Sequence, residues 1–301
     1  MELISLLISL TRPLYLLGAV LLYFMGVGIA KYLGVTIQWT VFYLGLAWIL
    51  LVQISSHALF DYFEPIRKPS ENLNSTSNND KKTSIDEKTS ALIRLIVCFS
   101  CLAVAGSITV LLMQAHRLTP MTSLFMIAAF LGALLYSLPP VRLASSGYGE
   151  LIIAILFANL IPAFAFVLQT ETLHRLVAMT TFPLTPLLLA MIIGLEFSTY
   201  SRDLKYGNRG LIIRMGWQNA MNLHNILIAC CYLLLSIAMI FNLPTFVGIP
   251  VLFTLPLGIL LIWQMKRIAD GKKPNWSVLK ISWMVMSFTV VYLMAYSYWI
   301  H

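Results

Sequence analysis

Nine runs of about twenty apolar residues follow one another along this chain, and runs of that length and continuity leave little choice of fold. They lie roughly at 13–33, 38–60, 91–113, 121–138, 149–168, 178–198, 220–241, 246–264 and 278–300. Inside a bilayer each segment must satisfy its own backbone N–H and C=O groups, so an unbroken apolar run becomes a helix. The expected architecture is all-α: a polytopic membrane helical bundle of about nine transmembrane helices, organised as one domain over 1–301. Composition agrees, because only 11% of residues are charged, against about a quarter in soluble domains. The first run follows Arg12-Pro13 and is too long for the core of a signal peptide, so it reads as a spanning helix. The eighth contains Pro250 and Pro256, which membrane helices accept when neighbours satisfy the freed backbone groups.

A net charge of +8 suits either nucleic acid or an anionic membrane surface, and the placement of the bases separates the two. They flank the apolar runs, so the chain is expected to meet membrane lipid and no nucleic acid. Sixteen of the 20 Lys and Arg fall in or beside the links after spans two, four, six and eight. By the positive-inside rule these links and the N-terminus are cytoplasmic and the C-terminus lies outside, in the inner or cytoplasmic membrane if the source is bacterial. The sequons at Asn74 and Asn275 fall on the cytoplasmic side and read as chance matches. About 65–90 reads as a mobile polar cytoplasmic loop, rich in Asn, Ser, Lys and Asp. Cys98, Cys101, Cys230 and Cys231 sit inside apolar runs and read as core filling rather than a zinc or redox site.

With only 12 Asp and Glu in 301 residues, acids at the ends of spanning helices are the strongest pointer to chemistry. Span two closes on Ser56-His-Ala-Leu-Phe-Asp-Tyr-Phe-Glu-Pro-Ile-Arg67, where a continuing helix puts His57, Asp61 and Glu64 on one face. Span six closes on Glu196-Phe-Ser-Thr-Tyr-Ser-Arg-Asp203, where Glu196, Tyr200 and Asp203 repeat that spacing. Four spans separate the two ends, so they share one side of the membrane and suggest one pocket built by an internal repeat. Facing carboxylates suit Mg²⁺, a hard ion that takes oxygen ligands and keeps phosphate in its shell. Nearby Arg and Lys would carry the remaining phosphate charge.

These stretches resemble, in order, the motifs of the UbiA-type membrane prenyltransferases, closest to the branch that prenylates dihydroxynaphthoate for menaquinone. Thr11-Arg-Pro-Leu14 is similar to the family's early Arg-Pro, and His57–Glu64 to its Asn-x-x-Asn-Asp-Tyr-x-Asp. Tyr136-Ser-Leu-Pro-Pro-Val-Arg142 with Gly147-Tyr-Gly-Glu150 resembles its Tyr-x-x-x-Pro-x-(Arg/Lys)…Gly-x-Gly-Glu. Ser201-Arg-Asp203 with Gly207 and Gly216 resembles the second acid motif. The chain departs from that pattern in several places. His57 and Phe60 replace two Asn, Thr199-Tyr200 replaces another Asn pair, and Gly207 stands where a second acid is due.

The resemblance implies Mg²⁺-dependent transfer of an isoprenyl group from isoprenyl diphosphate to an aromatic or quinone-precursor acceptor. It implies Asp61, Glu64, Glu196 and Asp203 as metal ligands, and Arg142, Arg202, Lys205 and Arg209 as diphosphate ligands. Asp61, Asp203 and His57 are the catalytic candidates, His57 as a hydrogen-bond donor to diphosphate or a base on the acceptor's hydroxyl. Tyr62, Phe63, Tyr136 and Tyr200 are candidates to shield an allylic cation. Glu150 opens span five, where its charge suits a helix N-terminus. The alternative is a catalytically degenerate UbiA-like protein that binds lipid diphosphate or a biosynthetic partner. A secondary transporter would also use paired charged helix breaks, but it would set its acids at the midplane rather than at one mouth.

Overall fold

The computed structural model describes residues 12–63, 80–139, 143, 147–205 and 210–301, with backbone alone for 80–88. Among them are nine helical spans long and apolar enough to cross a membrane, and no strand. The first four spans are α1 (Pro13–Tyr32), α2 (Trp39–Phe63), α3 (Asp80–Gln114) and α4 (Pro120–Ser137). Span five is α5 (Gly149–Ile155), a wider π-helical turn at Leu156–Leu160, and α6 (Ile161–Thr170). Span six is α7 (Arg175–Thr181) and α8 (Leu184–Phe197). The short α9 (Tyr200–Lys205) and α10 (Leu211–Met215) precede α11 (Trp217–Ile240), the seventh span. Span eight is α12 (Thr245–Leu252) with α13 (Leu255–Ala269), and span nine is α14 (Trp276–Ile300). The chain is therefore an integral membrane protein.

Local chemistry explains where the spans start and break. Pro13 and Pro120 stand in first turns, where a missing N–H costs nothing. Thr119 caps α4 by accepting from the Thr122 N–H at 3.2 Å, and Asn275 caps α14 by accepting from the Val278 N–H at 3.4 Å. In span five the π-helical turn precedes Pro162, whose ring nitrogen has no hydrogen to give, and shifts the hydrogen-bond register there. Span eight breaks at Phe253-Thr254, just ahead of Pro256. The Thr254 hydroxyl donates to the Val251 carbonyl at 2.7 Å and meets Tyr232 Oη at 2.8 Å, which satisfies the break inside the bundle.

Packing ranks the spans. In the most apolar window of each, 72% of α7–α8 is buried, against 22% of α3 and 17% of α4, so the former lies in the core and the latter two form the lipid-facing rim. α1 packs on α14, α6 and α2, while α8 packs on α11, α5 and α14. Lipid tails are as apolar as the side chains, so close contact and interhelical hydrogen bonds must hold such helices together. Gly26 allows the α1 backbone to touch that of α6, since any Cβ there would strike the Pro162 carbonyl. Tyr23 Oη donates to the Phe42 carbonyl at 2.9 Å, Trp299 Nε1 to the Phe24 carbonyl at 2.9 Å, and Thr180 Oγ1 meets Tyr298 Oη at 2.6 Å. These clip α1, α2, α7 and α14 to one another.

Of the segment expected as a polar loop over about 65–90, only the part from Asp80 is among the described residues. Residues 64–79 lie outside the described residues, and from Asp80 the chain is already helical as the start of α3. No Gly or Pro interrupts Asp80–Ser90, so nothing in its backbone resists continuing the spanning helix outward. The four cysteines are unbonded; Cys98 and Cys231 are buried, and Cys101 and Cys230 are half-buried.

Candidate functional site

α2 stays helical through Phe63, which keeps His57 and Asp61 one turn apart on one face. His57 is 5% exposed, and neither ring nitrogen has a hydrogen-bond partner among the described residues. The edge of one ring meets the face of the other where it packs on Tyr15, centroids 5.6 Å apart. Asp61 Oδ1 accepts from Arg12 Nη2 at 2.9 Å in a partly buried ion pair. Arg94 Nη1 donates to the Asp61 backbone carbonyl at 3.0 Å. The Arg12 guanidinium also stands 5.1 Å over the Phe60 ring, which stacks on Tyr136 at 5.8 Å. Arg12 takes φ 42°, a left-handed conformation that costs a non-glycine residue energy and here turns the chain into α1.

The second acid end is built differently from the expected continuous helix. α8 stops at Phe197 and α9 begins at Tyr200, and two hydroxyls at the break bond back to the preceding turn. Ser198 Oγ donates to the Leu195 carbonyl at 3.0 Å, and the Thr199 hydroxyl lies 3.0 Å from the Glu196 carbonyl and 2.6 Å from Asp203 Oδ2. Glu196, Tyr200 and Asp203 thus do not form the single helical stripe that their spacing predicts. Tyr200 instead packs edge-on against Trp217 at 5.1 Å. The side chains of Arg202 and Lys205 are exposed. Glu64, Arg142 and Arg209 lie outside the described residues.

Two residues matter more than the sequence suggests. Glu150 stands in the first turn of α5, as expected, but it is 5% exposed and Oε1 accepts from the Leu211 N–H at 3.0 Å, tying α5 to α10. Its carboxyl lies within hydrogen-bonding reach of Glu196, and Asp203 adds negative potential there. Carboxylates carry no donor, so such a contact is a bond only with a proton shared between them. Otherwise Glu150 Oε2 is buried with no hydrogen-bond partner among the described residues. The second is Tyr15, which touches His57 and Phe157 and lies in the field of both Arg12 and Glu196. Tyr136 feels Arg12, Glu150 and Glu196 together, which sets the two acid ends around one mouth. The Gly-x-Gly-Glu motif was the available signal for Glu150; for Tyr15 there was none beyond its nearness to Arg12-Pro13.

Behind the mouth runs an apolar cleft, open on one side, between α1, span five, α8 and α14. Leu14, Gly18 and Leu22 line it from α1, and Tyr15 stands in the same wall. From Leu14 to Leu22 the α1 wall rises about 12 Å.

Among the described residues, no group of three or more His, Cys, Asp or Glu side chains converges as a metal cage. The donor set still fits Mg²⁺ at the second end, where the carboxyls of Glu150 and Glu196 meet and Glu150 Oε2 is buried without a donor among the described residues. At the first end Asp61 is already matched by Arg12.

Several solved structures share this fold. A UbiA homolog from Archaeoglobus fulgidus bound to GPP and Mg²⁺ superposes with a TM-score of 0.66 at 18% identity, covering 95% of this chain and 99% of that one. The same homolog bound to DMAPP and Mg²⁺ gives 0.60 at 18% identity, covering 95% and 98%. A digeranylgeranylglyceryl phosphate synthase gives 0.64 at 16% identity, covering all of both chains. No curated protein sequence matches at a significant level. The profile of the UbiA prenyltransferase family matches residues 88–289, more than half of the 301 residues and inclusive of the second acid end, and on that match the chain belongs to this family.

Proposed function

We propose that the chain, as a single domain over 1–301, transfers an isoprenyl group from its diphosphate to an aromatic or quinone-precursor acceptor with the help of Mg²⁺. The observation that carries this reading is the position of Tyr15, which lines the apolar cleft and also touches His57 at the polar mouth. A ligand with a long apolar tail and a polyanionic head matches that junction of apolar cleft and polar mouth. The occurrence of GPP, DMAPP and Mg²⁺ in the Archaeoglobus fulgidus homolog supports the same class of ligand.

In this reading the cleft binds the tail, and Asp61, Glu64, Glu196 and Asp203 hold Mg²⁺. Bound Mg²⁺ would supply neutralising charge for the departing diphosphate. Arg142, Arg202, Lys205 and Arg209 take the remaining phosphate charge. The allylic C–O bond breaks, a carbon–carbon bond forms to the acceptor ring, and the ring gives up a proton. His57 donates to the diphosphate or accepts the acceptor's hydroxyl proton, since its two ring nitrogens are uncommitted. The faces of Tyr15 and Tyr136 shield the allylic cation from water. The basic links set the mouth, with the N-terminus, on the cytoplasmic side. The Gly147-Tyr-Gly-Glu150 motif makes a dihydroxynaphthoate-type acceptor, and with it quinone biosynthesis, the first class to try.

A second reading, a family member that binds lipid diphosphate without turnover, draws on the Arg12–Asp61 pair and on Gly207 in place of an acid. The test is prenyl transfer by purified, detergent-solubilised protein, with labelled isoprenyl diphosphates of several lengths, a panel of aromatic acceptors, and Mg²⁺ present or withheld. Mg²⁺-dependent product supports the transferase. Diphosphate binding without product from any pair transfers support to the binding protein.

A further inference from the structure

We propose that Glu150 and Glu196 form a two-carboxylate Mg²⁺ site that stands in for the acid missing at Gly207. The proposal rests on the transferase reading for the identity of the ion and of the phosphate it would meet.

The geometry makes the case in three steps. First, Glu150 is 5% exposed and uses only Oε1, on the Leu211 N–H at 3.0 Å, while Oε2 is buried without a donor among the described residues. A buried carboxylate oxygen left in that state is costly. Second, the neighbouring group is another acid. Glu196 lies within bonding reach, and Asp203 adds to the negative potential. The Arg12–Asp61 and Arg117–Glu171 ion pairs supply no cation to Glu150 or Glu196. Two carboxylates in contact repel one another unless a proton or a cation lies between them. Third, the backbone leaves room for the pair. A Cβ at position 210 would sit 3.0 Å from Glu150 Oε1 and 3.9 Å from Glu196 Oε2, so Gly210 admits both carboxyls beside the start of α10.

Mg²⁺ fits this arrangement better than it fits the first acid end. The ion is commonly held by one or two carboxylates, with waters and substrate phosphate completing its octahedron, so a cage of three acids is not required. Oε1 keeps its bond to Leu211 while Oε2 and Glu196 face the ion. Glu150 therefore acts both as a ligand and as the strap that holds α10 beside the mouth.

The test uses Mn²⁺ as a paramagnetic probe, titrated into the purified full-length chain with and without geranyl diphosphate and followed by electron paramagnetic resonance. Glu150→Gln keeps an oxygen for the Leu211 N–H and removes the charge, and Glu196→Gln alters the opposite wall. Each is expected to weaken Mn²⁺ binding by about tenfold or more, with a melting temperature close to that of the unaltered chain. If Glu150→Gln does not fold, Glu196→Gln and Glu150→Asp carry the test. Binding within about twofold of the unaltered chain in these variants, or no Mn²⁺ binding by the unaltered chain, overturns the site and leaves the pair as a proton-sharing clip. Prenyl transfer measured in parallel separates the two claims. Product formed while Mn²⁺ ignores both substitutions removes the site alone, whereas Mn²⁺ binding lost in both variants without product from any substrate pair removes the transferase alone.

Discussion

The two acid ends that meet at the mouth are similar in sequence and opposite in electrostatics. On α2, Asp61 is paired with Arg12 at 2.9 Å, and Arg12 also lies over Phe60, so charge and ring are both engaged. Beyond α8, Glu196 faces Glu150 rather than a base, with Asp203 adding to the same negative potential. The difference arises from what each helix end meets. The first is approached by the chain entering α1, which brings an arginine. The second is approached by the first turn of α5, which brings another carboxylate. An acid motif read along the chain says how many negative groups a helix end carries, while its neighbours determine whether those groups still need a cation.

The comparison can be broken most forcefully at the acids themselves. Asp61→Asn and Asp203→Asn are each expected to lower kcat/KM for prenyl transfer by about a hundredfold or more, the scale of losing an electrostatic group that acts on a developing charge. A large loss at Asp203 with little at Asp61 would show that the first end is structural. Next comes Arg12→Ala, which frees Asp61 and uncovers Phe60; about a tenfold loss in kcat/KM is expected, from a contact with a charged group worth about 1.5 kcal/mol. The double variant with Asp61→Asn should lose less than the sum of the two single changes, because they remove one shared interaction. Additive losses in steady-state kinetics would separate Arg12 from Asp61. A third change addresses the cleft that both ends serve. A Cβ at Gly18 would stand 3.4 Å from the Phe288 ring, so Gly18→Phe should fill the cleft, shorten the longest donor accepted and spare the shortest. Unchanged preference across a series of donor lengths would exclude this cleft as the tail site. The smallest effect is expected from Thr199→Ala, which removes the hydroxyl 2.6 Å from Asp203 Oδ2 and should cost about 1 kcal/mol in thermal unfolding. A drop in activity much larger than that loss of stability would mean that Thr199 positions Asp203 for chemistry.

Much of the architecture was legible in the chain, because a bilayer allows continuous apolar runs few alternatives to a helix. Even the weak eighth run emerged as a span, divided just ahead of Pro256 while Pro250 stays inside α12. Two expectations depended on where a helix ends. The spacing of Glu196, Tyr200 and Asp203 predicts one face only if the helix continues, and α8 instead ends at Phe197, where the hydroxyls of Ser198 and Thr199 bond back to the preceding turn. The polar segment before span three looks like a loop by composition, yet from Asp80 it continues a helix already nucleated by the apolar run. In both, the run of the backbone decided the outcome, and composition does not report it.

By itself the sequence determined the all-helical membrane fold, the number of spans and the two acid-bearing ends, since each depends on patterns within a segment that the bilayer enforces. Only the tertiary structure decided the neighbours. It set Arg12 on Asp61, turned Tyr15 from the cleft to His57, and faced Glu150 with Glu196 across the start of α10. Such pairings join residues 42 to 49 positions apart, and they depend on which helices touch and at what depth. In a bundle held by close packing rather than by a hydrophobic drive, that choice is made by small residues and shape, as where Gly26 admits Pro162.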